Sequence, residues 1–538
     1  MFITDKKILE NFYTNKRIVQ QVPGIERTAR GRLFCTFYSG RCTETLGNYC
    51  VVIQSDDDGV TWSEPICAAY NGQIKRCFDP VLWMDPLGRL WFTWAEGHGY
   101  ATRGVICDNP DADELVWSEE FYIGEGVMMN KPTVLSSGEW LFPVALWDYW
   151  LTEDTYNQIK YYGDLFLEEY VAKQQARSGA NVYCSTDNGK TIRYLGGCSM
   201  IAERSHDEHM LLEQNNGTLL LYSRTKYGIA RAVSYDKGES FTVAQKSGLV
   251  GPCSRFHIRR LRSGRVLLIN HDQFTGRNNL TAFLSEDEGR SFPYKLLLDE
   301  RDQVSYPDMT EGEDGTLYIV YDRERGAYKS TQEETLACER EILLAKITEE
   351  DILRGALVHP GSFLKKIVSK LGEYQGNETD LFTGRPPSVD IEEFMRVVLA
   401  LEHREDILRY IFVYYPLDFT QITREQIERI DEWIDRVRLS LGDEAILQDT
   451  LLELLNCLQQ MPLLRDRTHA EKCVLSLVEL LRASSTKEID IVKFSHEMGI
   501  SYNYLRFYFY KQIGIDLKEY REKCKRLFAK SRQNPLRL

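Results

Sequence analysis

A phenol, several carboxyls and several guanidinium groups interrupt otherwise apolar stretches of this 538-residue chain. Tyr306 lies in Ser305-Tyr306-Pro307-Asp308, shortly before an apolar run that opens at Leu317. Glu208 lies in Asp207-Glu208-His209, Arg224 closes the run that opens at Leu219, and Arg277 follows Gly276. Singly, such charges are ordinary solvated loop residues, and such a tyrosine serves equally well as packing. Together they describe an anion-binding mouth holding a carboxylate and a phenol, groups suited to proton transfer and nucleophilic attack. Arg76, Asp79 and Arg255 precede other apolar runs and are expected to bind substrate at the same mouth. His206 and His209 stand three apart, a spacing that shares no face on a strand or loop, so no metal and no cofactor is expected.

A repeat supplies the frame that would bring these residues together. Gly31, Gly88, Gly138, Gly217, Gly264 and Gly315 each open an apolar strand, as in Gly88-Arg-Leu-Trp-Phe-Thr-Trp. Units recurring about every fifty residues mean a propeller or solenoid, and six of them predict a six-bladed β-propeller. A second marker interleaves with the first: Ser55-Asp-Asp-Asp-Gly59, Ser185-Thr-Asp187-Asn-Gly189, Ser234-Tyr-Asp236-Lys-Gly238 and Ser285-Glu-Asp287-Glu-Gly289. Its short polar side chains can bond neighbouring amides while the glycine bends the chain, so its role is structural. A worn copy is expected near Asp108 to Trp117. The long interval between Gly138 and Gly217 predicts a helical insertion at about 150–178.

The strand Glu341-Ile-Leu-Leu-Ala-Lys-Ile reads as the last of the propeller, which spans 1–358, and Thr348-Glu-Glu-Asp opens a capped helical turn. Residues 361–375 read as a helix within a helix-and-linker segment, 359–389, followed by a helical domain, 390–483. The fold class is mainly β with an α-helical C-terminal region. Net charge is −14, yet residues 484–538 carry 12 Lys and Arg against 6 Asp and Glu, so only this tail would attract DNA. No apolar run approaches the length of a membrane span, no secretory leader opens the sequence, and 13 scattered cysteines fit reduced thiols. A cytoplasmic protein without a membrane partner is expected.

The Asp boxes and charged residues over about 18–350 resemble the sialidase (neuraminidase) superfamily of BNR repeat proteins. That resemblance implies Tyr306 as nucleophile, Glu208 as its base, and Arg224 and Arg277 on the substrate carboxylate. It also puts the acid/base carboxyl, normally Asp, at Glu44 in Thr43-Glu44-Thr45. The family's Arg-Ile-Pro is here Gln21-Val22-Pro23, which removes one carboxylate-binding arginine: either another residue such as Arg76 or Arg255 restores the clamp, or the substrate is not an ordinary sialic acid. A neutral tyrosine suits an anomeric carbon that bears a carboxylate, because an anionic nucleophile would be repelled. The implied activity is retaining exo-hydrolysis of a terminal acidic sugar from an oligosaccharide or glycoconjugate. Residues 484–538 resemble one helix-turn-helix of the AraC type, with Tyr502, Asn503 and Arg506 placed to read DNA. The alternative is therefore a sugar-sensing transcriptional regulator with a non-catalytic propeller. The aromatic density of that segment equally suits a homodimer through the helical region.

Overall fold

The computed structural model describes residues 2–40, 44, 48–71, 76–96, 101–147, 177–327, 332–373 and 489–503, with scattered positions between 432 and 521. Each repeat forms one antiparallel sheet, giving six in all. Their first strands are Val19–Arg27, Cys77–Met84, Thr133–Val134, Arg204–Glu213, His257–Arg260 and Val304–Glu311, which number blades 1 to 6. The first strand of blade 1 touches those of both blade 2 and blade 6, so the sheets close into a six-bladed β-propeller. Phe2–Ile3 adds a fifth strand to the outer edge of blade 1.

Among the described residues no strand is exchanged between the first and last blades; side chains join them. Gln20 donates its amide to the Arg340 and Ser369 carbonyls at 2.7 and 2.9 Å. Asp322 and Asp308 of blade 6 accept the Val22 and Ile25 amides of blade 1, each at 2.9 Å. Apolar packing fills the space between blades. Trp83, Trp91 and Trp140 meet at ring-centroid distances of 5.0 to 6.1 Å between blades 2 and 3.

The Asp boxes lock turns at the outer rim. In one, Ser185 Oγ accepts the Gly189 amide at 2.8 Å, while Asp187 accepts the Thr191 amide and hydroxyl at 2.9 and 2.7 Å. Those Thr191 bonds hold the Asp187 carboxyl down to about 2. The worn copy keeps part of this pattern: Ser118 Oγ accepts the Ile106 amide at 3.0 Å, as Ser63 Oγ accepts that of Gln54 at 3.0 Å.

Thr348 caps the helix Glu349–Arg354 through a reciprocal bond with Asp351. Phe363–Lys370, expected as helix, is instead the outermost strand of blade 6, paired with Glu341–Ile347. Its apolar positions do not separate the two periods, and the decisive factor is tertiary: the fourth place in the last sheet had to be filled. The insertion at about 150–178 lies outside the described residues except for its last two positions, and nearly all of 390–483 does too.

The C-terminal segment includes a helix, Ile491–Glu497, capped by Asp490 and followed by Gly499 at φ 66°. Beyond it Leu505 and Phe509 are buried with Ile500, Leu517, Cys473 and Leu477. Tyr502 is half-buried, Asn503 and Arg506 are exposed, and the Arg506 guanidinium lies 5.9 Å from the Tyr502 ring.

Gly189 and Gly217 share a φ of +81°, but a Cβ on Gly189 would meet the Trp91 ring at 2.6 Å and one on Gly217 would meet nothing within 4 Å. Gly217→Ala should therefore lose only the left-handed backbone term, about 1–2 kcal/mol. Gly189→Ala should lose that plus an overpacking cost of about 1–3 kcal/mol. Denaturant unfolding of the two variants checks the difference.

Candidate active site

The site begins as a backbone irregularity repeated on several inner strands. Register slips between Gln21 and Gly24, Phe78 and Val81, Asp207 and Met210, and Ser305 and Asp308. At the slips Val22, Asp79, Glu208 and Tyr306 take left-handed φ values of 54°, 48°, 45° and 55°. A bulge re-aims the side chain it carries, here away from the sheet's normal alternation. Such backbone costs a non-glycine residue about 1–2 kcal/mol, and it persists only where neighbours over-determine it.

Tyr306, Glu208 and Arg224 converge. Tyr306 Oη donates to Glu208 Oε1 at 2.8 Å and accepts from Arg224 Nη1 at 3.0 Å. Arg224 also ion-pairs with Glu208 at 2.5 Å. Its remaining nitrogens face Cys253 Sγ at 3.4 and 3.5 Å, and that thiol donates to Ser205 Oγ at 3.0 Å. Glu208 Oε2 is buried and has no hydrogen-bond partner among the described residues. Burial and the adjacent Glu208 push the Tyr306 phenol up to about 12, while Arg224, Arg277 and Arg325 oppose the shift. The resting phenol is therefore neutral, and its proton already points at a carboxylate.

Three further guanidinium groups approach the Tyr306 ring. Arg277 lies 5.3 Å from its centroid and also bonds the Cys253 carbonyl at 3.2 Å. Arg325 lies 4.5 Å away, and sequence reasoning missed it. Its Nη1 donates to Gln21 Oε1 at 3.0 Å, its Nη2 to Ser305 Oγ at 2.8 Å, and it pairs with Asp322 at 3.2 Å. The vacancy left by Gln21 thus has a cation beside it, supplied from the end of blade 6. The signal is present in the sequence, since the apolar run from Leu317 ends in the charged Asp322-Arg323 and Arg325 is two residues on.

Arg255, the third, was expected to bind substrate and instead grips the protein. Its nitrogens donate to the carbonyls of Met129, Pro23 and Tyr306 at 2.8, 2.9 and 2.9 Å, and only 2 % of it is exposed. Arg76 likewise does not join the arginines at Tyr306. It lies over the Phe78 ring at 4.0 Å and pairs with Glu44 at 3.0 Å. Glu44 also accepts the Tyr38 hydroxyl at 2.6 Å. Asp79 is buried beside this pair, and burial raises its carboxyl to about 8; Arg76 opposes the shift while Glu44 and Glu208 reinforce it. Of the two histidines, His209 bonds the Asn181 carbonyl at 2.7 Å and His206 packs on Trp147 at 4.9 Å.

A closed propeller with three guanidinium groups around the ring of a buried phenol is a candidate small-ligand site. The BNR repeat-like domain matches residues 31–319, more than half of the chain, and the chain belongs to that family. No curated protein matches it. Among solved structures, it is similar to a protein of unknown function from Dyadobacter fermentans (17% identity, TM-score 0.44, covering 57% of this chain and 90% of that one). It is also similar to the NanB sialidase from Streptococcus pneumoniae (12% identity, TM-score 0.43, 59% and 66%). A third likeness is to a leech intramolecular trans-sialidase complexed with 2,7-anhydro-Neu5Ac (13% identity, TM-score 0.47, 64% and 70%). The chain thus spans just under two thirds of the NanB chain. At TM-scores below 0.5 these likenesses assign no activity.

The raised Asp79 carboxyl has a thermodynamic signature. Between the ordinary carboxylate value of about 4 and the folded value of about 8, the folded chain holds a proton that the unfolded chain has released. Wild-type stability therefore falls with pH across that window, and Asp79→Asn removes the fall. The variant's gain in melting temperature should be small at pH 4, grow up to pH 8 and then level off.

Proposed function

We propose that the propeller is an exo-glycosidase of sialidase type that removes a terminal acidic sugar with retention of configuration. One observation carries this reading: the Tyr306 hydroxyl is bonded at once to the Glu208 carboxylate and the Arg224 guanidinium. In the first displacement Tyr306 Oη attacks the anomeric carbon as its proton passes to Glu208, and the Tyr306–sugar bond replaces the bond to the leaving oxygen. A phenolic proton held up to about 12 needs such a base at neutral pH. In the second displacement water takes the tyrosine's place, and Glu208 returns the proton to the phenolate. Two inversions give retention.

Arg224, Arg277 and Arg325 are the cations for the substrate's carboxylate. Arg325 puts a cation beside Gln21, which answers one of the two grounds for a non-catalytic, sugar-sensing propeller, the other being the helix-turn-helix resemblance of residues 484–538. A substrate carboxylate would compete with Asp322 for Arg325 and with Glu208 for Arg224. Only an anion compensates for loosening those pairs, so neutral glycosides are disfavoured.

The test is a panel of fluorogenic aryl glycosides of sugar acids, run with wild type, Tyr306→Phe and Arg325→Met. Turnover by wild type with a loss of about 10³-fold or more in Tyr306→Phe is expected. Arg325→Met should lower kcat/KM by about 10- to 100-fold, the worth of one charge-assisted hydrogen bond of about 1.5–3 kcal/mol. No wild-type turnover of any acidic glycoside would overturn the reading.

A further inference from the structure

A retaining glycosidase needs a second proton-transfer group, one that protonates the leaving oxygen and later deprotonates water. Family resemblance puts this role on Glu44. We propose that Asp79, on blade 2, is that acid/base group, a reading that rests on the proposed glycosidase.

Three observations carry it. The first is placement. Asp79, Glu208 and Tyr306 sit on left-handed bulges of the inner strands of blades 2, 4 and 6, which alternate around the axis. The same backbone device that aims the phenol and its base aims this carboxyl, and strained backbone of this kind is kept where side-chain placement matters. Val22, on the corresponding bulge of blade 1, carries no reactive group and packs in the apolar cluster that includes Tyr38, Phe78 and Tyr306.

The second observation is that Glu44 is already committed. Its Oε2 pairs with Arg76 at 3.0 Å and its Oε1 accepts the Tyr38 hydroxyl at 2.6 Å, so both of its oxygens are engaged. A carboxylate held in this way is a poor proton donor. Its charge instead faces Asp79, so the Arg76–Glu44 pair acts as a fixed positioning element for the neighbouring carboxyl.

The third is the state of Asp79 itself. Only 4 % of it is exposed, and its interactions are electrostatic: Arg76 and Arg255 on one side of the balance, Glu44 and Glu208 on the other. No hydrogen bond or ion pair to its carboxyl occurs among the described residues. Burial with two carboxylate neighbours keeps that proton on up to about pH 8. A general acid poised near the working pH is the condition for efficient transfer.

The steps balance. As Tyr306 Oη bonds to the anomeric carbon and its proton moves to Glu208, the glycosidic bond breaks and the Asp79 proton goes to the departing oxygen. Water then attacks, Asp79 takes one of its protons, the Tyr306–sugar bond breaks, and Glu208 returns its proton to the phenolate. The net change is glycoside plus water to free sugar plus alcohol, with both carboxyls restored.

Leaving-group dependence separates this role from mere binding. An aryl glycoside departs without protonation, whereas a methyl glycoside of the same sialic acid does not. We expect Asp79→Asn to lower kcat/KM on the methyl glycoside by about 10²-fold or more and on the aryl glycoside by less than about 10-fold. Azide should accelerate aryl turnover by the variant, because it needs no base to attack the glycosyl-enzyme. Equal losses on both substrates without azide rescue would assign Asp79 to binding and overturn the proposal. So would a leaving-group-selective loss in Glu44→Gln with none in Asp79→Asn. Failure of wild type on both substrates would overturn the glycosidase reading itself, and the acid with it. The proton is checked independently by infrared spectroscopy of the unliganded protein: a protonated-carboxyl band present in wild type at pH 7 and absent in Asp79→Asn is expected, and its absence from wild type would contradict the proposal.

Discussion

The arrangement of the whole site depends on one buried guanidinium. Arg255, from the segment leading into blade 5, donates to carbonyls of blade 1, of the segment leading into blade 3, and of blade 6, and the last is the carbonyl of Tyr306. A left-handed tyrosine would relax if its carbonyl could turn, and a charge-assisted bond of about 1.5–3 kcal/mol is enough to offset the cost of about 1–2 kcal/mol of that backbone. Beneath it a second charged layer closes the axis. Asp308 pairs with Lys131 at 3.2 Å and lies 3.3 Å from Nδ1 of His257, whose pKa burial lowers, while accepting the Ile25 amide. Burial works against its ionisation, yet Lys131 and His257 hold it well below the usual carboxylate range. Breaking one member of such a buried set leaves an uncompensated charge, so it fixes blade registry as much as it stabilises.

Above this support the electrostatics divide into two kinds. Cations gather around the phenol: Arg224, Arg277 and Arg325, only partly compensated by Glu208 and Asp322. A second group holds two carboxyls: Glu44, paired with Arg76, and Asp79, raised by burial. The first grouping suits an anion at the anomeric carbon. The second holds the proton that the proposed general acid would give up. The bulges bring Tyr306, Glu208 and Asp79 among these charges, in a space where burial magnifies their mutual influence.

The fold was legible because its signals are local. A glycine before each apolar strand and a Ser-x-Asp-x-Gly turn after it mark the blades without any knowledge of their packing, and the Thr348 cap was readable in the same way. Phe363–Lys370 was not, because its periodicity is ambiguous and only the vacant outer place in blade 6 decides it. Tyr306, Glu208 and Arg224 could be named from spacing, but the role of an arginine depends on what its nitrogens meet. Arg255 meets carbonyls and Arg76 meets Glu44, while Arg325 meets Gln21 across the seam between the first and last blades. That last contact joins residues 304 positions apart and has no local signature.

The central claim is that Tyr306 forms a covalent bond to the sugar. It is tested most directly by incubating the protein with a sugar-acid glycosyl fluoride carrying a second fluorine beside the anomeric carbon, which slows breakdown of the intermediate, and mapping the adduct by mass spectrometry. The account predicts one sugar added per chain, on the peptide that contains Tyr306, and no addition in Tyr306→Phe. An adduct on Glu208 or Asp79, or turnover of an acidic glycoside with inversion and no adduct, would contradict it.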